Sequence, residues 1–240
     1  MLRNIFSVSI LVVLAASAQA ADTCGDVNAS GTVTSSDALS VLKKAVGQPV
    51  TLQCPAAATT LETGQTLCYD QGGEAISCTG TGQDAALKKG VAQSFTDNGD
   101  GTISDDNTGL MWEKLSDDDS IHDFDEGLYD WQSAFTQKIA TLNSSSFAGH
   151  NDWRLPNENE LETIRSLGET SPAVFPIFNT GCSAGCTVLT CSCTVSDAYW
   201  SSTTYQLDES SAWTVYFDDG DTYATGKTIQ NYVRAVRGGF

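Results

Sequence analysis

Short segments near the C-terminal end of the chain alternate between apolar and polar residues. This alternation predicts β-strands at residues 199–205, 212–217 and 232–236. The pair Asp219-Gly220 follows the second of these segments and is typical of a hairpin turn. We therefore expect the end of the chain to consist of short strands joined by polar loops.

Similar patterns occur nearer the middle of the chain. The segment between Cys68 and Cys78 alternates about Gly72-Gly73, which predicts a hairpin with a disulfide across it. Asn-Gly and Asp-Gly pairs, which favour turns, accompany predicted strands at residues 102–103 and 109–112.

Two segments have helical patterns instead. After Asp130, apolar residues recur at helical spacing and predict one amphipathic helix, with Trp131, Phe135, Ile139 and Leu142 on its apolar face. Pro156 then disfavours helical geometry at the residue before it, and a second helix is predicted from Asn157 to about Leu167. Asn157 and Glu160 have the spacing of a capping box.

Four stretches together resemble the Lcl C-terminal domain family. In chain order they are Phe95-Thr96-Asp97-Asn98-Gly99-Asp100-Gly101-Thr102 with Thr108-Gly109-Leu110-Met111-Trp112, the stretch from Gly149-His150-Asn151-Asp152-Trp153-Arg154-Leu155-Pro156 to Glu160-Leu161, then Tyr199-Trp200-Ser201-Ser202-Thr203, and Tyr232-Val233-Arg234-Ala235-Val236-Arg237-Gly238-Gly239. The resemblance implies an α+β, C-type-lectin-like domain at residues 66–240, with two helices and short antiparallel strands. It also implies a relationship to formylglycine-generating enzymes, and a binding role rather than a catalytic one.

The chain is strongly acidic. It has 30 acidic and 12 basic residues among 240, a formal net charge of −18. Such a surface repels phosphate backbones and anionic lipid, so we expect no nucleic-acid partner. The acidic run around Asp117–Asp119 and Asp123–Glu126 fits a solvated loop, although a weak cation site there remains open.

The first twenty residues predict export. Arg3 precedes an apolar core, and Ala18-Gln19-Ala20 forms a small-residue cleavage pattern. We interpret residues 1–20 as a signal peptide, which indicates a secreted, periplasmic or cell-surface protein without a membrane span after cleavage.

Eight cysteines in an exported chain predict disulfides. We expect Cys24 to pair with Cys54, Cys68 with Cys78, and two bridges to form among Cys182, Cys186, Cys191 and Cys193. A bridge between Cys191 and Cys193 is disfavoured because so short a loop strains it. Zinc is the alternative for these four cysteines, but their spacing differs from that of zinc ribbons.

Residues 26–37 have the pattern of a calcium-binding loop. Oxygen-bearing residues recur at the positions that ligate a hard cation, and Gly31 occupies the sharp turn. The predicted ligands are Asp26, Asn28, Ser30, Thr32 through its backbone carbonyl, Thr34 and Asp37. Calcium is therefore the expected cofactor.

This loop and the helix predicted after it resemble one repeat of a type I dockerin. The helix has an apolar face at Ala38, Leu39, Val41, Leu42, Ala45 and Val46 and ends at Gly47. The resemblance implies a small helical, EF-hand-like module at residues 21–54, followed by a linker at 55–65. Dockerins have two such repeats and this chain shows one, so a calcium-stapled spacer and a cohesin-docking module both stay open.

Catalytic motifs are not recognisable in the sequence. The chain has neither a G-x-S-x-G motif in the strand-to-helix setting of a nucleophile elbow nor the H-E-x-x-H motif of a zinc-binding helix. Formylglycine-generating enzymes carry a reactive cysteine pair near the C-terminus, and here no cysteine follows Cys193. The two histidines, His122 and His150, do not form a constellation with other catalytic residues. We therefore expect a protein that is not an enzyme.

The polar loops near the C-terminus are the expected ligand contacts, because loops between strands often carry binding residues. The candidates are Tyr205, Asp208, Trp213, Asp219, Asp221 and Tyr223. The sequence favours a calcium-binding adhesion or recognition protein for an extracellular polysaccharide or a surface protein. The alternatives are an accessory part of a polysaccharide-degrading assembly, recruited through a cohesin, and a hydrolase with an unrecognised site.

Overall fold

The computed structural model describes residues 42–43, 45–47 and 60–239. The chain divides into two compact units, residues 1–59 and 60–240. The predicted signal peptide, the calcium loop and the Cys24–Cys54 pair lie outside the described residues. In the first unit, Leu42, Lys43 and Ala45 are helical, and Gly47 follows with φ of 79°, a backbone conformation that commonly ends helices.

Residues 60–239 form a mixed α/β domain with short strands and few helices. The strands are β1 (Cys68–Tyr69), β2 (Ala75–Ile76), β3 (Phe95–Asp97), β4 (Thr102–Asp105), β5 (Leu110–Glu113), β6 (Ala198–Thr204), β7 (Ser211–Tyr216), β8 (Thr222–Gly226) and β9 (Val236–Gly238). The helices are α1 (Asp84–Leu87), α2 (Trp131–Ser133), α3 (Ala140–Ser144) and α4 (Glu158–Glu162), with a π-helical segment Ala134–Ile139 between α2 and α3. Single 3₁₀ turns occur at Phe147–Gly149 and Pro176–Phe178.

The strands form three antiparallel sheets. β1 pairs with β2, a second sheet has the order β3-β4-β5-β9, and a third has the order β6-β7-β8. The predicted hairpin at Cys68 to Cys78 is confirmed, with Cys68 opposite Ile76. The last strand of the chain returns to the second sheet, where Val236 lies opposite Trp112.

Two hydrophobic clusters join the two larger sheets. One cluster packs Trp112 of β5 and Tyr199 of β6 with Leu161 of α4. The other packs Trp153 and Trp200 with Leu142 of α3. All six of these side chains are at most 2% exposed, so each sheet is packed against residues from distant parts of the chain.

The helix predicted from Asn157 to about Leu167 is shorter in the structure. It ends at Glu162, with Thr163 as its C-terminal cap. The next residues form other backbone contacts, because Arg165 forms a bridge with Val174 and the Leu167 N–H donates to the Thr63 carbonyl at 2.8 Å.

The compact unit also begins earlier than the predicted boundary at residue 66. Leu61 forms a bridge with Val91, and the chain at Gly64 passes directly against Gly168. A Cβ atom at position 168 would lie 2.2 Å from the Gly64 carbonyl oxygen, so only glycine fits there. Residues 60–65 of the predicted linker are therefore packed against the domain.

The helix predicted after Asp130 is present but not uniformly α-helical. Asp130 caps it, accepting the Ser133 N–H at 2.7 Å, and the π-helical segment then widens its turn. Within this segment the buried residues include Lys138, which is 1% exposed. Trp131 and Phe135 of the predicted apolar face are half-buried, and both pack against the second hydrophobic cluster.

Candidate binding surface

The stretch from Gly149 to Leu161 is a corner that holds the two larger sheets together. Arg154 and Val236 exchange both backbone hydrogen bonds at 2.9 Å, so the corner pairs with β9. The Arg154 guanidinium donates to both oxygens of Glu160, at 2.7 and 2.6 Å. Arg237 lies 2.7 Å from Asp152, which adds a second link to the tail.

The other side chains of this corner make contacts that stabilise the fold. The predicted capping box is present: the Glu160 N–H donates to the Asn157 side chain at 2.9 Å, and the Asn157 N–H donates to the Glu160 carboxylate at 2.8 Å. Trp153 is buried, and its indole N–H donates to the Phe147 carbonyl at 3.1 Å. Asn143 brackets the Trp153 backbone with two hydrogen bonds, at 2.7 and 2.8 Å.

A cleft of about 320 Å³ lies beside this corner. Its lining consists of Thr108, Leu110, Arg154, Asn157, Asn159, Glu160, Thr163, Gly238 and Gly239. Arg154 and Glu160 neutralise each other there, and Asn157 and Glu160 are occupied by the helix cap. The cleft therefore offers few unpaired polar groups for a ligand.

The predicted ligand residues lie on the β6-β7-β8 sheet, but the structure does not bring them together. Because β6, β7 and β8 run antiparallel, the loop before Ser211 and the loop after Tyr216 are at opposite ends of the sheet. In addition, Trp213 lies opposite Ala224, whereas Tyr223 lies opposite Thr214. Since side chains alternate between faces, Trp213 and Tyr223 project from opposite faces of the sheet.

One face carries an aromatic pair formed by Tyr205 and Trp213. Their ring centroids are 5.0 Å apart and the planes are nearly perpendicular, at 83°. Both residues are half-buried, and Ala224 beside Trp213 on the edge strand is small and exposed. We call Tyr205, Trp213 and Ala224 the Trp213 surface.

Trp213 differs from the other four tryptophans in its hydrogen bonding. The indole N–H groups of Trp131, Trp153 and Trp200 donate to backbone carbonyls, and Trp112 is fully buried. Within residues 60–239, the Trp213 indole N–H has no protein acceptor while its ring is partly exposed. It is therefore the tryptophan that can both stack on a ligand and donate to it.

Helix α4 lies on the same side of the sheet as the Trp213 surface. Val215, two residues after Trp213, packs in one cluster with Leu161, and Thr222 opposite Val215 donates to Glu162 at 3.1 Å. The Glu158 N–H donates to the Thr203 hydroxyl at 3.1 Å.

Two of the three carboxylates of α4, those of Glu158 and Glu162, have different environments. Burial raises the pKa of Glu158, and the charge of Glu162 raises it further, against the opposing effect of Arg165. Glu162 instead forms an ion pair with Arg165 at 3.1 Å. Sequence reasoning did not select these two glutamates, although their spacing of four residues on a helix was visible.

The other candidates lie on the opposite face or are used within their own turns. Tyr223 is 46% exposed, packs at 5.2 Å on Tyr216 and donates its hydroxyl to Asp221 at 3.1 Å. Asp219 accepts the Asp221 N–H at 3.0 Å.

Asp208 belongs to the turn beside Tyr205. Its carboxylate accepts the Ser210 hydroxyl at 2.6 Å and the Ser211 hydroxyl at 2.9 Å. Hydrogen bonds from Ser210 and Ser211 hold its pKa below the ordinary value. Asp208 therefore shapes the loop that carries Tyr205 rather than presenting an unpaired carboxylate.

A buried charged cluster joins β5 to the π-helical segment. Glu113 Oε1 is 2.6 Å from both Lys138 Nζ and His122 Nδ1, and the Ala235 N–H donates to Glu113 Oε2 at 3.0 Å. Neither Glu113 nor Lys138 is more than 2% exposed at its side chain. Nearby, the fully buried Arg234 donates to the carbonyls of Glu113 and Cys193, at 2.8 and 2.6 Å.

The acidic loop between β5 and α2 brings Asp117, Asp123 and Asp125 together, with one oxygen of each within 4.8 Å of the others. Asp123 accepts four backbone N–H groups, from Asp118, Asp119, Asp125 and Glu126, at 2.8–3.2 Å. These hydrogen bonds compensate for the burial of the Asp123 carboxylate and hold the loop in its conformation.

The described cysteines form three disulfides. Cys68 pairs with Cys78, Cys182 with Cys193, and Cys186 with Cys191. The predicted hairpin bridge and the two predicted bridges within residues 182–193 are confirmed. No helix among the described residues has the length and apolar character needed to cross a membrane.

The domain is thus a mixed α/β domain with short antiparallel strands, closed by disulfides and by a corner that pairs with the last strand. A sequence model of the Lcl C-terminal domain matches residues 101–237, which is more than half of the chain. The chain belongs to this family. A search of curated proteins found no match.

Proposed function

We propose that this protein is a secreted, non-catalytic recognition protein that binds a neutral or cationic carbohydrate through the Trp213 surface. The observation that carries the proposal is the partly exposed Trp213 ring with its unpaired indole N–H, held against Tyr205 at 5.0 Å. Aromatic faces bind the apolar side of a sugar ring, and adjacent polar groups bind its hydroxyls. Glu158 and Glu162, on the same side of the sheet, supply acceptors for such hydroxyls.

The charge of the domain supports this ligand class. Most basic residues of the domain are buried or already paired. Lys138 and Arg234 are buried, Lys227 donates to Thr204 and Glu209, and only Lys88 and Lys89 among residues 60–239 are exposed without such partners. The others lie in ion pairs: Lys114, Arg154, Arg165 and Arg237. The chain as a whole carries a formal net charge of −18, so repulsion disfavours an anionic glycan.

The proposal includes a C-type-lectin-like architecture and an extracellular or periplasmic location. The family membership and the short antiparallel sheets support the first. The signal-like residues 1–20 and the three disulfides of the domain support the second, since disulfides persist in oxidising compartments.

Calcium binding by residues 26–37 is the part of the proposal that concerns the first unit. Asp26→Ala removes the ligand at the first position of the loop and one of its two formal charges. We expect calorimetry to show strong loss of calcium uptake in this variant, and normal uptake in Asp22→Ala, which removes a carboxylate just outside the loop. Equal uptake by Asp26→Ala and the wild type would contradict the site.

A single dockerin-like repeat also leaves cohesin recruitment as a role of the first unit. A pull-down of the full chain by a type I cohesin, with calcium and with a chelator, tests this role. Calcium-dependent capture supports recruitment to a polysaccharide-degrading assembly, and failure of capture supports a calcium-stapled spacer.

The second candidate function is carbohydrate hydrolysis, and the different environments of Glu158 and Glu162 favour it. A carboxyl group with a raised pKa near a second carboxylate that is paired with an arginine resembles the acid and its partner in glycosidases. The assay is release of reducing ends from the glycans that bind. If reducing ends are released and Glu158→Gln abolishes that release, the function is hydrolysis rather than recognition alone.

A glycan array probed with the full exported chain tests the proposal as a whole. We expect binding to a subset of neutral or amino-sugar glycans, with no binding to sulfated ones. An array without any bound glycan, or with sulfated glycans alone, would contradict the proposed ligand class.

A further inference from the structure

The two disulfides of residues 182–193 are in direct contact with each other. The Sγ atoms of Cys186 and Cys193, which belong to different bridges, are 3.8 Å apart. The Sγ atoms of Cys182, Cys186 and Cys193 all lie within 4.8 Å of one another. Thiol–disulfide exchange requires a thiolate beside a disulfide sulfur, and this spacing brings the two bridges within such reach.

The four cysteines differ sharply in exposure. Cys182 is exposed, whereas Cys186, Cys191 and Cys193 are 8%, 1% and 0% exposed. A thiol from solvent therefore reaches the outer bridge at Cys182 and does not reach the inner bridge directly.

We propose that Cys182 is a thiolation site, and that the two bridges form a disulfide relay that reacts with small neutral or cationic thiols. A thiolate RS⁻ attacks Cys182 Sγ, forming a mixed disulfide, and the electron pair of the Cys182–Cys193 bond moves to Cys193. The Cys193 thiolate attacks Cys186 Sγ, a Cys186–Cys193 bond forms, and the electron pair of the Cys186–Cys191 bond moves to Cys191, which is then protonated.

A second thiol completes the relay. It attacks the mixed disulfide, releases Cys182 as a thiol and leaves as the oxidised dimer RSSR. Two thiols are thus oxidised to one disulfide, and one of the two protein disulfides is reduced. The product has a Cys186–Cys193 bridge and free thiols at Cys182 and Cys191.

The surroundings of Cys191 favour this product. Its Sγ lies 3.3 Å from the Thr187 carbonyl oxygen and 3.9 Å from that of Leu115, both acceptors for a new S–H. Cys193 is fully buried, where an unpaired thiolate is costly. Its attack on Cys186 passes the charge to Cys191, where protonation beside these two acceptors removes it.

The acidic loop selects among thiols. Both backbone polar groups of Asp117 are hydrogen-bonded to the cysteine segment: its N–H donates to the Cys186 carbonyl at 3.0 Å, and its carbonyl accepts the Gly185 N–H at 2.6 Å. The carboxylates of Asp117, Asp123 and Asp125 therefore repel anionic thiols and attract cationic ones. We expect cysteamine to react faster in low salt than in 1 M salt, where the Debye length is about 3 Å.

The test is a map of the free thiols after limited reduction. The full exported chain is treated with 2-mercaptoethanol, alkylated in acid with N-ethylmaleimide, and digested with chymotrypsin. Chymotrypsin cleaves after Leu189, which separates Cys182 and Cys186 from Cys191 and Cys193. We expect mass spectrometry to show alkylated Cys182 and Cys191 and a bridge between Cys186 and Cys193. The same sample provides a reference in the Cys68–Cys78 bridge, which should yield its own two thiols.

Three results would overturn the relay. They are alkylation of Cys182 and Cys193 with the Cys186–Cys191 bridge intact, loss of both bridges together, and no reaction at any of the four cysteines before denaturation. A Cys186→Ala/Cys191→Ala variant removes the acceptor bridge and is the matched control, with alkylation expected at Cys182 and Cys193. The wild-type map decides the question by itself if this variant does not fold.

Discussion

Lys138→Met is expected to lower the free energy of unfolding by about 3–5 kcal/mol, as breaking a buried ion pair commonly does. The Lys138 ammonium is 2.6 Å from Glu113 Oε1 and also donates to the Ile121 carbonyl. Methionine fills similar volume, but it leaves the Glu113 carboxylate buried beside His122 alone. Urea denaturation followed by tryptophan fluorescence measures the loss.

A double-mutant cycle separates the ion pair from packing. Glu113→Gln keeps the shape and still accepts the Ala235 N–H, but it leaves the Lys138 charge without a partner. The Glu113→Gln/Lys138→Met protein has neither unpaired charge, so we expect it to be more stable than the sum of the single effects predicts. Additive effects would show that the two groups do not interact.

The pH dependence of stability gives an independent check on Glu113. Burial raises its pKa, but the Lys138 charge and the His122 hydrogen bond outweigh this and hold the pKa at about 2. Because the pKa in the folded protein is below the ordinary value of 4.5, the contribution is complete above about pH 4.5 and is lost as the pH falls towards 2. The stability difference between the wild type and Glu113→Gln should therefore shrink over this range, and a constant difference would be evidence against the assignment.

Trp153→Ala is the other substitution with a large expected effect, about 3–5 kcal/mol, typical of large aromatic residues in a core. Trp153 is 2% exposed, its ring lies 5.2 Å from that of Phe147, and its indole N–H has a backbone acceptor. A domain with about 5–15 kcal/mol of stability would lose much of it. Thermal unfolding measured by circular dichroism reports the change.

Trp213→Ala is the matched control for Trp153→Ala, because the residue type is the same and the ring is partly exposed. We expect its stability to stay within about 1 kcal/mol of the wild type. A Trp153→Ala protein with the unfolding midpoint of Trp213→Ala would show that the corner does not hold the domain together.

Features encoded by residues close in sequence could be predicted well. Asn157 and Glu160 are three residues apart, and their reciprocal hydrogen bonds follow from helix geometry alone. The bridges within residues 182–193 were restricted in the same way, because the short spacing disfavoured a Cys191–Cys193 pair, and the structure has the bridges Cys182–Cys193 and Cys186–Cys191.

Features that depend on distant residues could not be predicted in this way. Lys138 and Glu113 are 25 residues apart, and a lysine on an amphipathic helix ordinarily lies in solvent. The links from Asp152 to Arg237 and from Arg154 to Val236 likewise span more than 80 residues. The family motifs marked these residues, but only the fold shows that they contact each other.

The candidate ligand residues lie between these cases. The predicted turn at Asp219-Gly220 lies between the antiparallel strands β7 and β8. Which residues share a face depended on the register, in which Trp213 lies opposite Ala224 and not opposite Tyr223. The ligand residues predicted from the sequence therefore lie on two separate surfaces of the structure.

The most direct test of the proposed function is calorimetric titration of the best glycan from the array into three proteins: the wild type, Trp213→Ala and Tyr223→Ala. Both variants remove an aromatic ring from the same sheet, but from opposite faces. The Trp213 surface predicts that Trp213→Ala weakens binding at least tenfold, about 1.4 kcal/mol, while Tyr223→Ala binds as the wild type does. Normal binding by Trp213→Ala together with loss of binding by Tyr223→Ala would contradict this account and place the ligand on the other face.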